Sequence, residues 1–226
     1  MLKISKYAIF NYEESDSELI EELAEYLDVN ADKVFQFFGV PAGEKAIINI
    51  VPTKKEFDRI FREKWGYDCE DWAVGFAKNG EITYLSLNDY KNTKHAYSKV
   101  EYYAAFEHFK KTLLHEFVHY VNELFRKEND CGSTVKYLRE GIATYLSGQK
   151  DNAKVLFDFS IDDLLATDMK KSCYNGYYLI TKYLIENYDK DFVMELFKSN
   201  RKATEFLLNE LYEKAKEYYV AKPIKL

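Results

Sequence analysis

A long helical pattern between about Lys99 and Lys127 constrains the fold of this chain more than any other feature. Its apolar residues fall on most faces of the predicted helix, and they are Phe106, Phe109, Leu113, Leu114, Phe117, Val118, Val121 and Leu124. A helix with one apolar stripe lies on a surface, whereas a helix that is apolar on several faces is surrounded by protein. We therefore expect this helix to run through the core of a domain.

The segment before this helix begins with a helix and a strand. Residues 16–38 place apolar side chains at spacings of three and four, which is typical of an amphipathic helix, and Gly39 and Pro41 end it. The run Lys45–Val51 is apolar and β-branched, and Pro52 closes it. This second pattern predicts a largely buried strand.

A capped helix and a hairpin follow. Thr53, with Glu56 three residues later, predicts a capping box at a helix start. The runs Trp72–Ala77 and Glu81–Leu87 flank an Asn-Gly pair, which strongly favours a β-hairpin.

The rear half of the chain returns to helical periodicity from Thr134 onward. We find no linker rich in Pro, Gly or Ser, so the simplest organisation is one continuous unit over residues 1–226. It would comprise an α/β part at 1–127 and a helical part at 128–226. The predicted fold class is α+β, with a small mixed sheet, an edge-strand hairpin, the long helix and an all-helical C-terminal part.

The long helix contains the sequence His115-Glu116-Phe117-Val118-His119. Histidines at positions i and i+4 lie one turn apart on the same face, so both imidazoles can reach one metal ion. Glu116 projects from the edge of that face, where it can take a proton from a zinc-bound water and pass it to a leaving amine. The alternative is a pair of buried histidines satisfied by hydrogen bonds.

Glu140 is the candidate third metal ligand. Twenty residues lie between His119 and Glu140, and the segment 129–133 breaks the first helix before a second one opens at Thr134. A helix, a turn and an antiparallel helix can return Glu140 to the histidine pair. Gly141 and Ala143, which add no bulk, favour close helix packing beside a metal. The alternative is an ordinary exposed glutamate.

The two segments together resemble the gluzincin metallopeptidases, in which H-E-x-x-H is followed by a Glu ligand within a sequence like E-G-x-A, and the likeness is closest to the peptidase-MA-like group. The resemblance implies a zincin-like fold and one Zn²⁺ per chain, bound by His115, His119 and Glu140. It also implies an edge strand that pairs with the substrate backbone. Residues Ile82–Leu87 match its place in the sequence, which makes Tyr84, Leu85 and Ser86 candidate substrate-binding residues. No third histidine of the metzincin kind follows His119.

The resemblance further implies a Tyr or His that stabilises the oxyanion of the tetrahedral intermediate. Because no histidine follows His119, we expect a tyrosine in this role, and we expect Tyr174 rather than Tyr177. Glu123 is either an acceptor for a ligand histidine or, as the simpler alternative, a solvated charge. His108 lies about 10 Å along the helix from His115 and is too far away to bind the same ion.

Composition excludes several classes of partner. A net charge of −6 and a pI near 5.4 give no basic surface for nucleic acid, and no apolar run is long enough to span a membrane. Three widely spaced cysteines and an N-terminus without a signal peptide favour a cytoplasmic protein. The 20 Tyr and 16 Phe are interpreted as core and surface residues of a helix-rich fold. The alternative is a tyrosine-rich surface that binds carbohydrate or peptide.

The leading hypothesis is a zinc-dependent peptidase that acts on peptides or proteins. We expect an endopeptidase, because nothing in the sequence indicates a site for a free α-amino group. One alternative is a zinc-stabilised scaffold protein that no longer cuts, although such a protein has no need of Glu116. Another is a metal-free helical interaction protein.

Overall fold

The computed structural model describes residues 1–90, 102–151, 156–166, 173–199 and 201–221. The chain divides into two compact units, Met1–Glu123 and Leu124–Leu226. The first is a mixed α/β unit, and in the described residues of the second the regular elements are all helices. The α+β class predicted from the sequence is therefore confirmed. Its small mixed sheet and mostly helical remainder are confirmed as well.

The first unit is built on a five-stranded sheet. Its strands are β1 (Leu2–Ile4), β2 (Ala8–Asn11), β3 (Ala46–Val51), β4 (Gly75–Lys78) and β5 (Glu81–Leu85). Their spatial order is β1-β2-β3-β5-β4. The pairs β2/β3 and β3/β5 are parallel, whereas β1/β2 and β4/β5 are antiparallel.

The first two strands were not predicted. They have only three and four residues, and Lys3, Ser5 and Lys6 hide the apolar pattern. Ala8 and Phe10 in β2 are nevertheless fully buried, and β2 pairs in parallel with β3. A strand this short is specified by its long-range partner rather than by its own sequence.

The helices of the first unit follow the sequence signals closely. Helix α1 (Ser17–Phe38) ends at Gly39, whose positive φ of 68° is typical of glycine at a helix end. Helix α2 (Lys54–Trp65) is capped by Thr53, whose hydroxyl accepts from the Glu56 N–H at 3.3 Å. A short helix α3 (Leu87–Tyr90) follows β5.

The long predicted helix is α4 (Tyr102–Glu128), which crosses the boundary between the two units. Seven of the eight apolar residues that the sequence assigns to this helix are buried: Phe106, Phe109, Leu113, Leu114, Phe117, Val118 and Val121. Leu124 is half-buried. The prediction that this helix passes through protein rather than across a surface is confirmed.

The hairpin is present, but its edge strand is not the predicted one. Asn79 and Gly80 form its two-residue turn with φ values of 57° and 82°, as a type I′ turn requires. The strand at Ile82–Leu85 lies inside the sheet, paired with β3 on one side and β4 on the other. The prediction that Ile82–Leu87 forms the edge is therefore wrong, and the edge on this side is β4.

The second unit contains α5 (Lys136–Ser147), α6 (Ile161–Leu165), α7 (Cys173–Asn187), α8 (Lys190–Lys198) and α9 (Arg201–Ala221). Helices α5 and α7 pack closely at Gly141. A Cβ at this position would lie 2.0 Å from Oγ1 of Thr181 and 2.5 Å from the carbonyl oxygen of Tyr177. The close helix packing predicted at Gly141 is thus confirmed.

None of the described helices is both long enough and apolar enough to cross a membrane.

Candidate metal centre

Helix α4 carries two of the candidate ligands. The Nε2 atoms of His115 and His119 are 3.1 Å apart, and the two rings are nearly perpendicular at a centroid distance of 4.7 Å. His115 is buried and His119 is half-buried. The i, i+4 spacing therefore turns both Nε2 atoms toward one point, as the sequence predicts.

The third candidate, Glu140, lies in the first half of α5 and is only 3% exposed. Arg139 holds one of its carboxylate oxygens, since the Nη2 and Nε atoms of Arg139 lie 3.0 and 3.1 Å from Oε1. A buried carboxylate needs such a partner, because burial penalises its charged form. The interaction is with Oε1, and a carboxylate has a second oxygen that can act as a metal ligand.

His115, His119 and Glu140 form a group in which each side chain offers one ligand atom, and these atoms all lie within 4.8 Å of one another. Within the described residues, this is the group of three or more His, Cys, Asp or Glu side chains that could hold a metal ion. These are the same three residues that the sequence predicts as metal ligands. Their proximity is the central feature of the site.

The donor set fits a zinc ion. Two ligand nitrogens at a Zn–N distance of 2.0–2.1 Å and a tetrahedral angle are about 3.3 Å apart, close to the 3.1 Å between the two Nε2 atoms. Two imidazoles and one carboxylate suit zinc and related transition metals, whereas Ca²⁺ and Mg²⁺ prefer oxygen ligands throughout. A hydrogen bond can also join two imidazoles at this distance, but it does not require a buried carboxylate at the same point.

Glu116 lies beside the edge strand. A Cβ built on Gly75 would fall 2.8 Å from Cγ of Glu116 and 2.7 Å from the ring of Tyr84. The Glu116 side chain is thus packed against the backbone of β4, and the residue is only 8% exposed. A glycine within a strand can mark such a close approach. That signal was present in the sequence at Gly75.

Tyr84 connects the sheet to α4. Its hydroxyl donates to the carbonyl oxygen of Phe109 at 2.7 Å, and its ring lies 4.6 Å from that of Phe109. Burial raises the pKa of Tyr84 well above its usual value, and the nearby charges of Tyr90 and Glu116 act in the same direction. Tyr84 is therefore a neutral hydrogen-bond donor that fixes α4 on the sheet.

The three candidate substrate-binding residues are all in the interior. Tyr84 and Leu85 are fully buried and Ser86 is 1% exposed, with the Ser86 hydroxyl donating to Asp16 at 2.5 Å. The backbone N–H groups of Leu85 and Ser86 donate to Val74 and Val51. This segment therefore has no free strand edge to offer a substrate.

The strand β4, in contrast, has a side with which no other described strand pairs. Antiparallel pairs alternate between residues that bond across the ladder and residues that do not. The two-residue turn and the Leu85 N–H to Val74 bond of 2.8 Å put Val74, Phe76 and Lys78 in bonded pairs. The backbone N–H and C=O groups of Gly75 and Ala77 consequently face away from β5, and Gly75 is the residue that contacts Glu116.

The two candidate tyrosines begin α7. Tyr174 is half-buried and Tyr177 is 1% exposed, and their rings meet edge to face at 5.7 Å. The role of Tyr174 in stabilising an oxyanion stays a prediction.

Glu123 has a role that neither sequence alternative anticipated. One of its carboxylate oxygens accepts from the Gly80 N–H at 3.2 Å, which fastens the hairpin turn to α4. His108 is half-buried on α4. His95, which the sequence places in a polar loop, lies outside the described residues.

Comparisons of the sequence with known protein families and with characterised proteins find no match.

Proposed function

We propose that this protein is a zinc-dependent peptidase, with His115, His119 and Glu140 as metal ligands and Glu116 as general base. The observation that carries the proposal is the convergence of three ligand atoms within 4.8 Å on residues that also form a gluzincin-like sequence pattern. Three protein ligands are characteristic of catalytic zinc sites, since structural sites are normally closed by four. This count favours an enzyme over a zinc-stabilised scaffold.

A zinc ion bound to His115, His119 and Glu140 would supply Lewis-acid chemistry, polarising the substrate carbonyl and making a water molecule more acidic. Glu116 then accepts a proton from the attacking water as the new C–O bond forms. It delivers that proton to the amide nitrogen as the C–N bond breaks. A glutamate buried to 92% is shielded from bulk water, which favours such directed proton transfer.

The outer edge of β4, which pairs with no other described strand, offers a binding mode for the substrate. A peptide that pairs with Gly75 and Ala77 would extend the sheet by one strand and would lie next to Glu116, because Gly75 contacts that side chain. Strand pairing engages the middle of a chain and requires neither terminus. This mode therefore favours an endopeptidase.

Tyr174 is the proposed oxyanion stabiliser, with Tyr177 as the alternative. A side chain that donates to the oxyanion must reach the substrate. Tyr177 is almost completely buried, whereas Tyr174 is partly exposed. Exposure therefore favours Tyr174.

The first test is metal content and peptide hydrolysis of the full-length protein. Protein purified without added zinc or chelator should contain about one equivalent of zinc by elemental analysis, and it should cut a peptide library when the products are mapped by mass spectrometry. Glu116→Gln should retain the metal and lose activity by about 100-fold or more, in the range of general acid–base effects.

Glu123→Gln is the matched control, because Glu123 lies on the same helix and the amide oxygen of Gln can still accept from Gly80. It should retain both metal and activity. Absence of metal, or a Glu116→Gln variant as active as the wild type, would overturn the proposal. Bound zinc without any hydrolysis would favour the scaffold alternative.

A further inference from the structure

A partly exposed aromatic cluster lies on the face of β4 opposite Glu116. It consists of Phe61 and Trp65 of α2 and Tyr67, which follows α2. Ring-centroid distances are 6.0 Å for Phe61–Trp65, 5.5 Å for Phe61–Tyr67 and 6.4 Å for Trp65–Tyr67. Trp65 is 36% exposed and Tyr67 58% exposed, in a protein whose other large aromatic rings are mostly buried in the described residues.

The cluster is continuous with the edge strand. The Phe61 ring lies 5.2 Å from that of Phe76, and the Lys78 ammonium group lies 4.1 Å from the centre of the Trp65 ring. Phe76 and Lys78 therefore point to the α2 side of β4, whereas Gly75 faces Glu116 on the α4 side. This alternation is the normal period of a strand.

A peptide paired with β4 would alternate in the same way. Side chains opposite Phe76 and Lys78 would point to the α2 side, at positions i and i+2 of the peptide. The first would contact the ring of Phe61 or Trp65, and the second would lie beside Lys78. The intervening residue would face Glu116.

The charge of Lys78 favours an acidic side chain at the peptide position opposite it. The Lys78 ammonium group donates to the carbonyl oxygen of Lys64 and lies over Trp65. In the described part of the chain it makes no ion pair, whereas the neighbouring Lys64 is paired with Glu81 at 2.7 Å. An acidic side chain opposite Lys78 would complete a cross-strand charge pair.

We infer that this aromatic cluster, together with Lys78, selects the substrate: a peptide strand with a large aromatic or aliphatic side chain and an acidic side chain two residues apart. The inference rests on the proposed function, because it identifies the peptide that would lie along β4. Aromatic platforms bind such side chains through area burial and ring stacking, and the adjacent cation adds specificity for an acidic group.

Two variants test the cluster. Trp65→Ala should lower kcat/KM by about tenfold for library peptides with Phe, Tyr, Trp or Leu at the position opposite Phe76. For peptides with Ala at that position, kcat/KM should stay within about twofold of the wild-type value. At the peptide position opposite residue 78, Lys78→Glu should change the preferred side chain from acidic to basic. Phe206→Ala is the control, since Phe206 is an aromatic residue 81% exposed on α9 and should leave the cleavage profile unchanged.

A binding measurement separates this inference from the proposed function. The Glu116→Gln variant, titrated calorimetrically with synthetic peptides, should bind a peptide with the selected pair of side chains at least tenfold more tightly than its Ala-substituted or charge-reversed versions. N-methylation of the peptide nitrogens that pair with β4 should weaken binding, because strand pairing requires these N–H groups.

The outcomes are distinct. Selective binding that Trp65→Ala and Lys78→Glu alter in the stated way, with no hydrolysis by the wild type, would support the substrate surface and contradict the peptidase. Hydrolysis with an identical cleavage profile in the wild type and both variants would overturn the substrate surface and leave the peptidase intact. Absence of both hydrolysis and peptide binding would overturn both.

Discussion

Gly75 approaches Glu116 so closely that a Cβ at position 75 would lie 2.8 Å from the Cγ atom of Glu116. The backbone of β4 therefore limits the positions that the Glu116 side chain can adopt. Since Glu116 is the proposed general base, we expect the lack of a side chain at Gly75 to be required for the proposed activity.

Gly75→Ala should accordingly lower the rate of peptide hydrolysis by about tenfold or more with zinc retained, because displacement of about 1 Å in a reacting group can cost 10²-fold. The measurement is kcat together with zinc content. Gly43→Ala is the control, because a Cβ at that position meets nothing within 4 Å. Equal activity of the two variants would contradict the positioning role of Gly75.

Loss of any one ligand should release the metal. His115→Ala and Glu140→Ala should each weaken zinc binding by more than 100-fold in a chelator competition assay, since even indirect partners of a ligand contribute 10- to 100-fold. His108→Ala should bind zinc like the wild type, because His108 is outside the group of three donors. Full zinc affinity in Glu140→Ala would mean that the third ligand is a different residue.

Gly141→Ala should destabilise the second unit. A Cβ there would overlap Oγ1 of Thr181 and the backbone oxygen of Tyr177, and a backbone oxygen can move only with its helix. Overpacking of this kind costs about 1–3 kcal/mol in the free energy of unfolding, which chemical denaturation can measure. Gly132→Ala is the comparison, because nothing lies within 4 Å of its added Cβ. A Gly141→Ala variant as stable as Gly132→Ala would show that the two helices can separate without cost.

Cys69 should react slowly with alkylating reagents. Burial raises the pKa of its thiol from 9.0 to about 12, and the charges of Asp58 and Glu70 act in the same direction. At pH 8.5 the reactive thiolate is then about a thousandfold less abundant than in the unfolded chain. Iodoacetamide labelling followed by mass spectrometry should show slow modification of Cys69 in native protein and rapid modification in urea.

The same shift has a consequence for stability. Between pH 9 and about 12 the unfolded state loses the Cys69 proton while the folded state keeps it, so the unfolded state binds fewer protons. The contribution of Cys69 to stability is therefore complete below pH 9 and declines as pH rises through this window. In the iodoacetamide experiment, modification of Cys69 that is as fast in native protein as in urea would contradict the burial of this thiol.

Several elements of the fold could be predicted because their signals are local. Periodicity defined α1 and α4, Gly39 ended α1, Thr53 began α2, and Asn79-Gly80 formed the hairpin turn. The i, i+4 spacing of His115 and His119 is also local, since a helix converts that spacing directly into a shared face. Each of these features depends on residues only a few positions apart.

The sequence by itself determined the residue types that can bind a metal, the helix that carries two of them and the glutamate that follows the first histidine. Tertiary structure alone decided which strand is the edge of the sheet, because strand order depends on pairing between segments far apart in the chain. It therefore placed Tyr84, Leu85 and Ser86 in the interior and Gly75 and Ala77 at the outer edge of the described sheet. It also decided that Glu140 lies within reach of His115 and His119, since no local pattern sets a distance across twenty intervening residues.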